Sequence, residues 1–166
     1  MSNGPSGDGT MAVDVMGAIP QIAASFTAMK SPAITAVMTA EPRTVQRSEP
    51  LSEAYHLLQR APFHHLPVMD GDDPVGLISS TDILKLVYDI DGNDDRLLSV
   101  MLDHQFNIDD AMTEELETLP SSATVKDAAK VLREGKIHSV LVIGDNGMLE
   151  GIVTSTDLIQ FLLDEL

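Results

Sequence analysis

The chain contains one segment twice, and that duplication limits its folds more than any other feature. Residues 38–74 align with 112–148 without a gap. One extra residue in the second copy then brings 76–87 onto 151–162. Met38/Met112, Thr39/Thr113, Thr44/Thr118, Ala54/Ala128, Leu58/Leu132, His64/His138, Val68/Val142, Gly76/Gly151 and Asp82/Asp157 are identical pairs. Elsewhere one aliphatic residue replaces another, as in Leu51/Val125, Leu57/Val131 and Ile83/Leu158. A shared fold preserved under sequence drift leaves such a pattern.

Each copy reads as strand, helix, strand, strand, helix. Arg43 to Gln46 and Glu117 to Pro120 are short extended entries, and Leu51 to Arg60 and Val125 to Glu134 are helical. Thr124 and Asp127 have the spacing of a capping box, whereas the matching site of the first copy is Pro50, which offers no side-chain cap. Leu66 to Met69 and Ser139 to Ile143 are compact apolar strands. The turn sequences Asp70-Gly71-Asp72-Asp73-Pro74 and Gly144-Asp145-Asn146-Gly147 separate them from return strands at Val75 to Ser79 and Leu149 to Thr154. Helices over Thr81 to Ile90 and Thr156 to Leu163 close the units.

The remaining segments frame the repeat. Residues 1–10 are polar and Gly-rich, which predicts a disordered tail with no basic flank of a signal peptide. Over residues 11–32, Val13, Met16, Ile19, Ile22, Ala23, Phe26 and Met29 form a stripe at helical spacing, interrupted by Pro20. This predicts a helical arm, packed on its own chain or reaching a partner subunit. The copies occupy residues 33–90 and 109–166. Between them, 91–108 is a connector that opens on an acidic turn and continues through a helical Arg96 to Leu102.

Composition narrows the function. With no Cys, disulfides and thiolate metal sites are excluded and a reduced, cytoplasmic setting is favoured. No apolar run approaches the ~20 residues needed to cross a bilayer. Twenty-six acidic residues face ten basic ones, and the formal charge of −16 repels nucleic acid and anionic membranes alike. The acidity fits either adaptation to high salt or an ordinary solvated surface.

Gly76-Leu77-Ile78-Ser79-Ser80-Thr81-Asp82 and Gly151-Ile152-Val153-Thr154-Ser155-Thr156-Asp157 are the candidate functional runs. Each is an apolar strand ending in a hydroxyl residue, with a carboxylate three positions on, at the entrance to a helix with free N–H groups. The plain reading is an N-cap with an acidic first turn. His64 and His65 are adjacent on a strand, so their rings point to opposite faces and do not chelate one ion together. No ligand cluster accompanies them, and no metal site is expected. The Asp70-Gly71-Asp72-Asp73 turn lacks the distal Glu of a calcium loop. No nucleophile elbow, phosphate-binding Lys loop or paired carboxylate groove is present, so no catalytic residue is expected and the chain is read as not an enzyme.

The Met-Thr openings, the His-His-Leu-Pro-Val and His-Ser-Val-Leu-Val strands, and the two Gly-aliphatic-aliphatic-(Ser/Thr)-x-x-Asp closes together resemble CBS domains. The tandem resembles a Bateman module over about residues 33–166. The resemblance implies an α+β fold, α/β-like in its local order, of two units related by a pseudo-twofold axis, here with an N-terminal helical extension. It also implies clefts between the paired domains for adenosine-containing ligands: AMP, ADP, ATP or S-adenosylmethionine. No cofactor is required. By the same resemblance Asp82 and Asp157 accept from ribose hydroxyls, and Ser79 and Thr154 contact ribose or phosphate. Thr44 and Thr118 stand at the mouth of the first strand, and the backbones around Leu66-Pro67 and Val140-Leu141 hold the adenine edge. The strand-entry pairs are His64-His65 and His138-Ser139.

The residues before the closing Asp, Thr81 and Thr156, depart from the Arg or His of many phosphate-binding members. That disfavours a triphosphate relative to AMP or a cationic adenosyl sulfonium, unless Arg43, Arg47, Arg133 or Lys136 reaches a cleft. Two functions follow. The first is a stand-alone regulatory module that senses an adenosyl ligand and signals by rearranging a homodimer toward a regulated protein partner. The second is a structural or docking module whose clefts hold no physiological nucleotide.

Overall fold

The structure, a computed structural model, describes residues 31–88 and 94–166. The expected tail, nearly all of the helical arm, the last two residues of the helix expected to reach Ile90, and residues 91–93 of the turn that opens the connector lie outside the described residues.

The described chain forms six α-helices and two sheets. After a 3-10 turn at Ile34–Ala36 come β1 (Thr39–Ala40), β2 (Val45–Gln46), α1 (Leu51–Arg60), β3 (His65–Asp70), β4 (Asp73–Ser79) and α2 (Ser80–Val87). Then follow α3 (Asp95–Gln105), α4 (Ile108–Ala111), β5 (Thr118–Pro120), α5 (Val125–Leu132), β6 (Ser139–Ile143), β7 (Leu149–Thr154) and α6 (Ser155–Glu165). The sheets run β2-β3-β4 and β1-β7-β6-β5. In each, a parallel pair (β2 with β3, β5 with β6) adjoins an antiparallel hairpin (β3 with β4, β6 with β7).

Local chemistry accounts for most of these elements. In α1, Leu51, Ala54 and Leu58 fall on one face and are buried, and in α5 Val125, Ala128 and Leu132 repeat the spacing. Acidic Glu53 and basic Arg60 sit at the ends of α1 that the helix dipole favours. Pro50 precedes α1 without a side-chain cap, while Thr124 and Asp127 close a capping box on α5. Both hairpins carry a bulge at the same place, Val75 between Gly76 and Pro74, and Glu150 between Gly151 and Leu149. The register equates Met69 with Ile143 and Pro74 with Leu149 across their hairpins, so the extra residue of the second copy lies within its turn.

The two copies exchange their opening segments. Thr39 and Ala40 pair antiparallel with Ile152 and Gly151, and Thr113 forms the matching bridge to Leu77. Thr113 and Leu77 hydrogen-bond in both directions, at 2.9 and 3.0 Å. Ile34, at the opening of the first copy, is fully buried in the core of the second with Ala128, Val140 and Val153. Ile108 and Ala111 enter the core of the first with Leu51, Leu66 and Ile78. Gly76 and Gly151 make the crossing possible: a Cβ on Gly76 would strike Met112, and one on Gly151 would meet Met38 Sδ at 2.5 Å.

The connector helix α3 also packs into the first core, through fully buried Leu102. Asp103 accepts from Ser52 N–H at 2.8 Å and Ser52 Oγ at 2.7 Å, which ties α3 to the N-terminus of α1. Arg47 grips Asp109 with Nε at 2.7 Å and Nη2 at 3.1 Å, joining β2 to the opening of the second copy.

Candidate functional site

The crossing leaves two clefts, one at each junction of a crossing strand with the hairpin of the other copy. The first, about 610 Å³, lies between Thr39, Glu41, Pro42 and Arg43 on one side and Ile152 and Thr154 to Asp157 on the other. Pro62, Phe63, His64, His65 and His138 complete it. The second, about 340 Å³, is bounded by Thr113, Glu115, Leu116 and Glu117, and by Leu77, Ser79 and Asp82. Lys136, Ile137, His138, Ser139, Leu141 and His65 close it. The two are related by the repeat, and His65 and His138 line both.

At the floor of each cleft a carboxylate is fixed by its own helix entry. Ser79 N–H and Oγ donate to Asp82 Oδ2 at 2.9 and 2.5 Å, and Asp82 N–H returns to Ser79 Oγ at 3.3 Å. Thr154 N–H and Oγ1 donate to Asp157 Oδ2, both at 2.7 Å, and Asp157 N–H reaches Thr154 Oγ1 at 3.4 Å. These are capping boxes, as the plain reading of the sequence holds. Thr124 and Asp127 build the same box at the start of α5, and neither residue lines a cleft. The cap geometry is therefore not itself a mark of ligand binding; placement in a cleft is what distinguishes Asp82 and Asp157.

The carboxylates differ in their outer oxygen. Lys85 Nζ donates to Asp82 Oδ1 at 3.1 Å, whereas Asp157 Oδ1 has no hydrogen-bond partner among the described residues. Burial alone would raise the pKa of Asp82, but hydrogen bonds from Ser79 and Lys85 outweigh it and hold the carboxyl below its ordinary value. Asp127, with bonds from Thr124 and Lys130, is lowered to about 2.

The imidazoles are equally distinct. His65, half-buried between the clefts, has its pKa pushed below 6.5, first by burial and then by the neighbouring His138 and His64, with Asp82 pulling the other way. His64 is exposed, with Nδ1 3.5 Å from Ser80 Oγ. His64 and His138 each present a carbonyl to the next helix entry, accepting from Ser80 N–H at 3.0 Å and Ser155 N–H at 3.4 Å. Among the described residues no group of three or more His, Asp or Glu side chains is gathered to hold a metal ion.

Of the residues singled out from sequence, His64, His65, His138, Thr154, Thr156 and Asp157 line the first cleft, and His65, Ser79, Asp82, His138 and Ser139 the second. Thr44, Pro67, Thr81 and Thr118 line neither. Leu66 and Val140 have fully buried side chains that belong to the two cores, which leaves only their backbone for any ligand. Arg43 and Lys136 each reach a cleft, and Arg47 is engaged by Asp109. Sequence reasoning missed Thr39, Glu41, Phe63 and Ile152 in the first cleft, and Thr113, Glu115, Glu117 and Ile137 in the second. Glu41 marks the mouth of the first with the only positive backbone φ, 47°, of a non-glycine residue among those described. Its N–H is held by the bulged Glu150 carbonyl at 3.0 Å.

The family model of the CBS domain matches residues 34–89 and 108–164. The chain belongs to the CBS-domain family. This CBS pair is 33% identical over 125 residues to inosine-5'-monophosphate dehydrogenase of Halobacterium salinarum, covering 75% of the chain but 21% of that protein. It is 30% identical over 125 residues to a CBS domain-containing protein of Dictyostelium discoideum, covering 72% and 83% respectively. An uncharacterised protein of Methanocaldococcus jannaschii is 28% identical over 153 residues, 86% of this chain and 34% of its own length. The CBS pair thus spans only about a fifth to a third of two of these relatives.

Among solved structures, the CBS-pair protein CBSX2 of Arabidopsis thaliana superposes with a TM-score of 0.68 at 24% identity, over 82% of this chain and 97% of that one. CBSX2 in complex with AMP gives 0.65 at 25%, over 81% and 98%. The CBS domain pair of MJ0100, crystallised with 5'-methylthioadenosine and S-adenosyl-L-methionine, gives 0.68 at 23%, over 82% and 100%. Among the described residues no helix is long and apolar enough to cross a membrane.

Proposed function

We propose that this CBS pair is a regulatory module that binds an adenosine-containing ligand in the clefts between its two units and signals through rearrangement of a homodimer. The ligand is of the AMP, ADP, ATP or S-adenosylmethionine type. The observation that carries the reading is the pair of equivalent clefts, each opening onto a carboxylate held rigid by its helix cap. A fixed carboxylate offers acceptor oxygens to the adjacent hydroxyl donors of a ribose. CBSX2, which has the same fold, binds AMP. The clefts are in the size range of small-molecule sites. A ligand that binds one dimer arrangement better shifts the population toward it, by no more than its differential affinity.

The second reading, a docking or dimerisation module without a nucleotide, draws on the Thr124–Asp127 box: the same motif serves there purely as a cap. Thermal denaturation against AMP, ADP, ATP and S-adenosylmethionine separates the two. A true ligand raises the midpoint with ln(1 + [L]/Kd), and at least one of Asp157→Asn and Asp82→Asn removes the rise while Asp127→Asn does not. If no adenosyl compound moves the midpoint of the native protein, the docking reading stands in its place.

A further inference from the structure

The two clefts share a plan but not a chemistry. Equivalent positions of the repeat hold Phe63 in the first and Ile137 in the second, and Arg43 in the first and Glu117 in the second. Among the described residues Asp157 Oδ1 has no hydrogen-bond partner, whereas the equivalent oxygen of Asp82 accepts from Lys85 at 3.1 Å. The one substitution in the other direction, Lys136 for Pro62, sets an exposed ammonium 3.7 Å from Glu134. The first cleft is also nearly twice as large.

Each difference bears on one part of a nucleotide. An aromatic face stacks on a purine ring, and such stacking is sequence-tolerant and strong; an aliphatic face gives contact area only. A carboxylate oxygen without a protein donor exchanges only water for a ribose hydroxyl, whereas one that already accepts from a lysine has a lone pair occupied and part of its charge compensated. A guanidinium at the rim compensates phosphate, and a glutamate repels it, the more so in a chain of net charge −16.

Resting on the adenosine-binding reading, we propose that the clefts are unequal, and that the one built from Phe63, Arg43 and Asp157 is the working site for an adenine nucleotide with an anionic tail. The cleft floored by Asp82 does not take that ligand at comparable affinity. Arg43 then sets specificity for the tail, and Asp157 anchors the ribose.

Titration calorimetry of the full chain with AMP and with adenosine tests this. One AMP per chain is expected. In Asp157→Asn the carboxamide oxygen keeps the bonds to Thr154, and the NH2 that takes the Oδ1 position cannot accept from ribose. Affinity should fall about ten-fold or more, with the cap preserved. Asp82→Asn should leave it unchanged. Arg43→Glu, on an exposed side chain outside both caps, should weaken AMP several-fold, less at high salt, and leave adenosine unchanged.

Two equal AMP sites per chain would overturn the inequality while sparing the adenosine reading. So would loss of binding in Asp82→Asn rather than Asp157→Asn, or equal weakening of AMP and adenosine in Arg43→Glu. Failure of both AMP and adenosine to bind the native chain would overturn the adenosine reading, and the inequality with it.

Discussion

His65 is the residue at which both clefts and the fold meet. It pairs with Ser79 across the first hairpin, lines both clefts, and is surrounded by His138, His64 and Asp82. Burial and two imidazoles favour its neutral form more than the carboxylate favours the charged one, so its folded pKa lies below 6.5. The unfolded chain consequently binds a proton that the folded chain refuses. This contribution to stability is fully present above pH ~6.5 and is lost as the pH falls through that value toward the lower folded pKa. Urea midpoints between pH 5 and 7.5 should therefore fall toward the acid end, and His65→Gln should flatten that part of the profile. A variant whose profile parallels the native one would remove His65 as the cause. The window lies above the range where carboxylates titrate, so Asp127, with its pKa at about 2, does not contribute to it.

At the scale of elements, the crossing of the opening segments joins the two units. Met38 lies against Gly151 and Met112 against Gly76, and only a residue without a Cβ admits these methionines. In Gly151→Ala the new methyl would meet Met38 Sδ at 2.5 Å and the Thr39 carbonyl at 3.0 Å. Sulfur at the end of a flexible chain yields more easily than backbone, so the cost should be in the usual overpacking range, about 1–3 kcal/mol. Met38→Ala on the same background should recover part of it, and a double-mutant cycle by chemical denaturation measures the coupling. Additive effects would show that the two residues do not press on each other. This crossing was not legible in the sequence. Helix α1, both hairpins and all three Ser/Thr-x-x-Asp boxes depend on local spacing, and the sequence predicts them within a few residues. Which copy receives Ile34 or Ile108 depends on partner choice, and the aligned copies offer both choices equally. The connector shows the same limit: its helix is predicted from periodicity, but nothing in the pattern marks Leu102 as a member of the first core.

At the scale of the molecule, the same limit decided how much of the site could be read. His64, His65, Asp82 and Asp157 are visible because hydroxyl, imidazole and carboxylate stand out at a strand-to-helix turn. Phe63, Glu41 and Thr39 become cleft residues only once the copies have crossed. The exposed apolar residues follow the same symmetry. Leu84 on α2 and Ile159 on α6 occupy equivalent places and are 61% and 59% exposed, and Tyr88 and Leu163, also equivalent, are 83% and 64% exposed. Scattered apolar residues need no explanation, but two equivalent patches in a pseudo-twofold molecule suit a second copy, which could cover both through one twofold interface. On that ground the homodimer of the proposed function is expected to form through α2 and α6. Sedimentation of the full chain should give a dimer, and Leu84→Asp with Ile159→Asp should give a folded monomer, since neither residue belongs to a core. The midpoint of the native protein should also rise with protein concentration, and that of the double variant should not. A native chain that sediments as a monomer, or a double variant that remains dimeric, would assign these helices another role. In the second case the rearrangement that transmits the ligand signal would run through a different face.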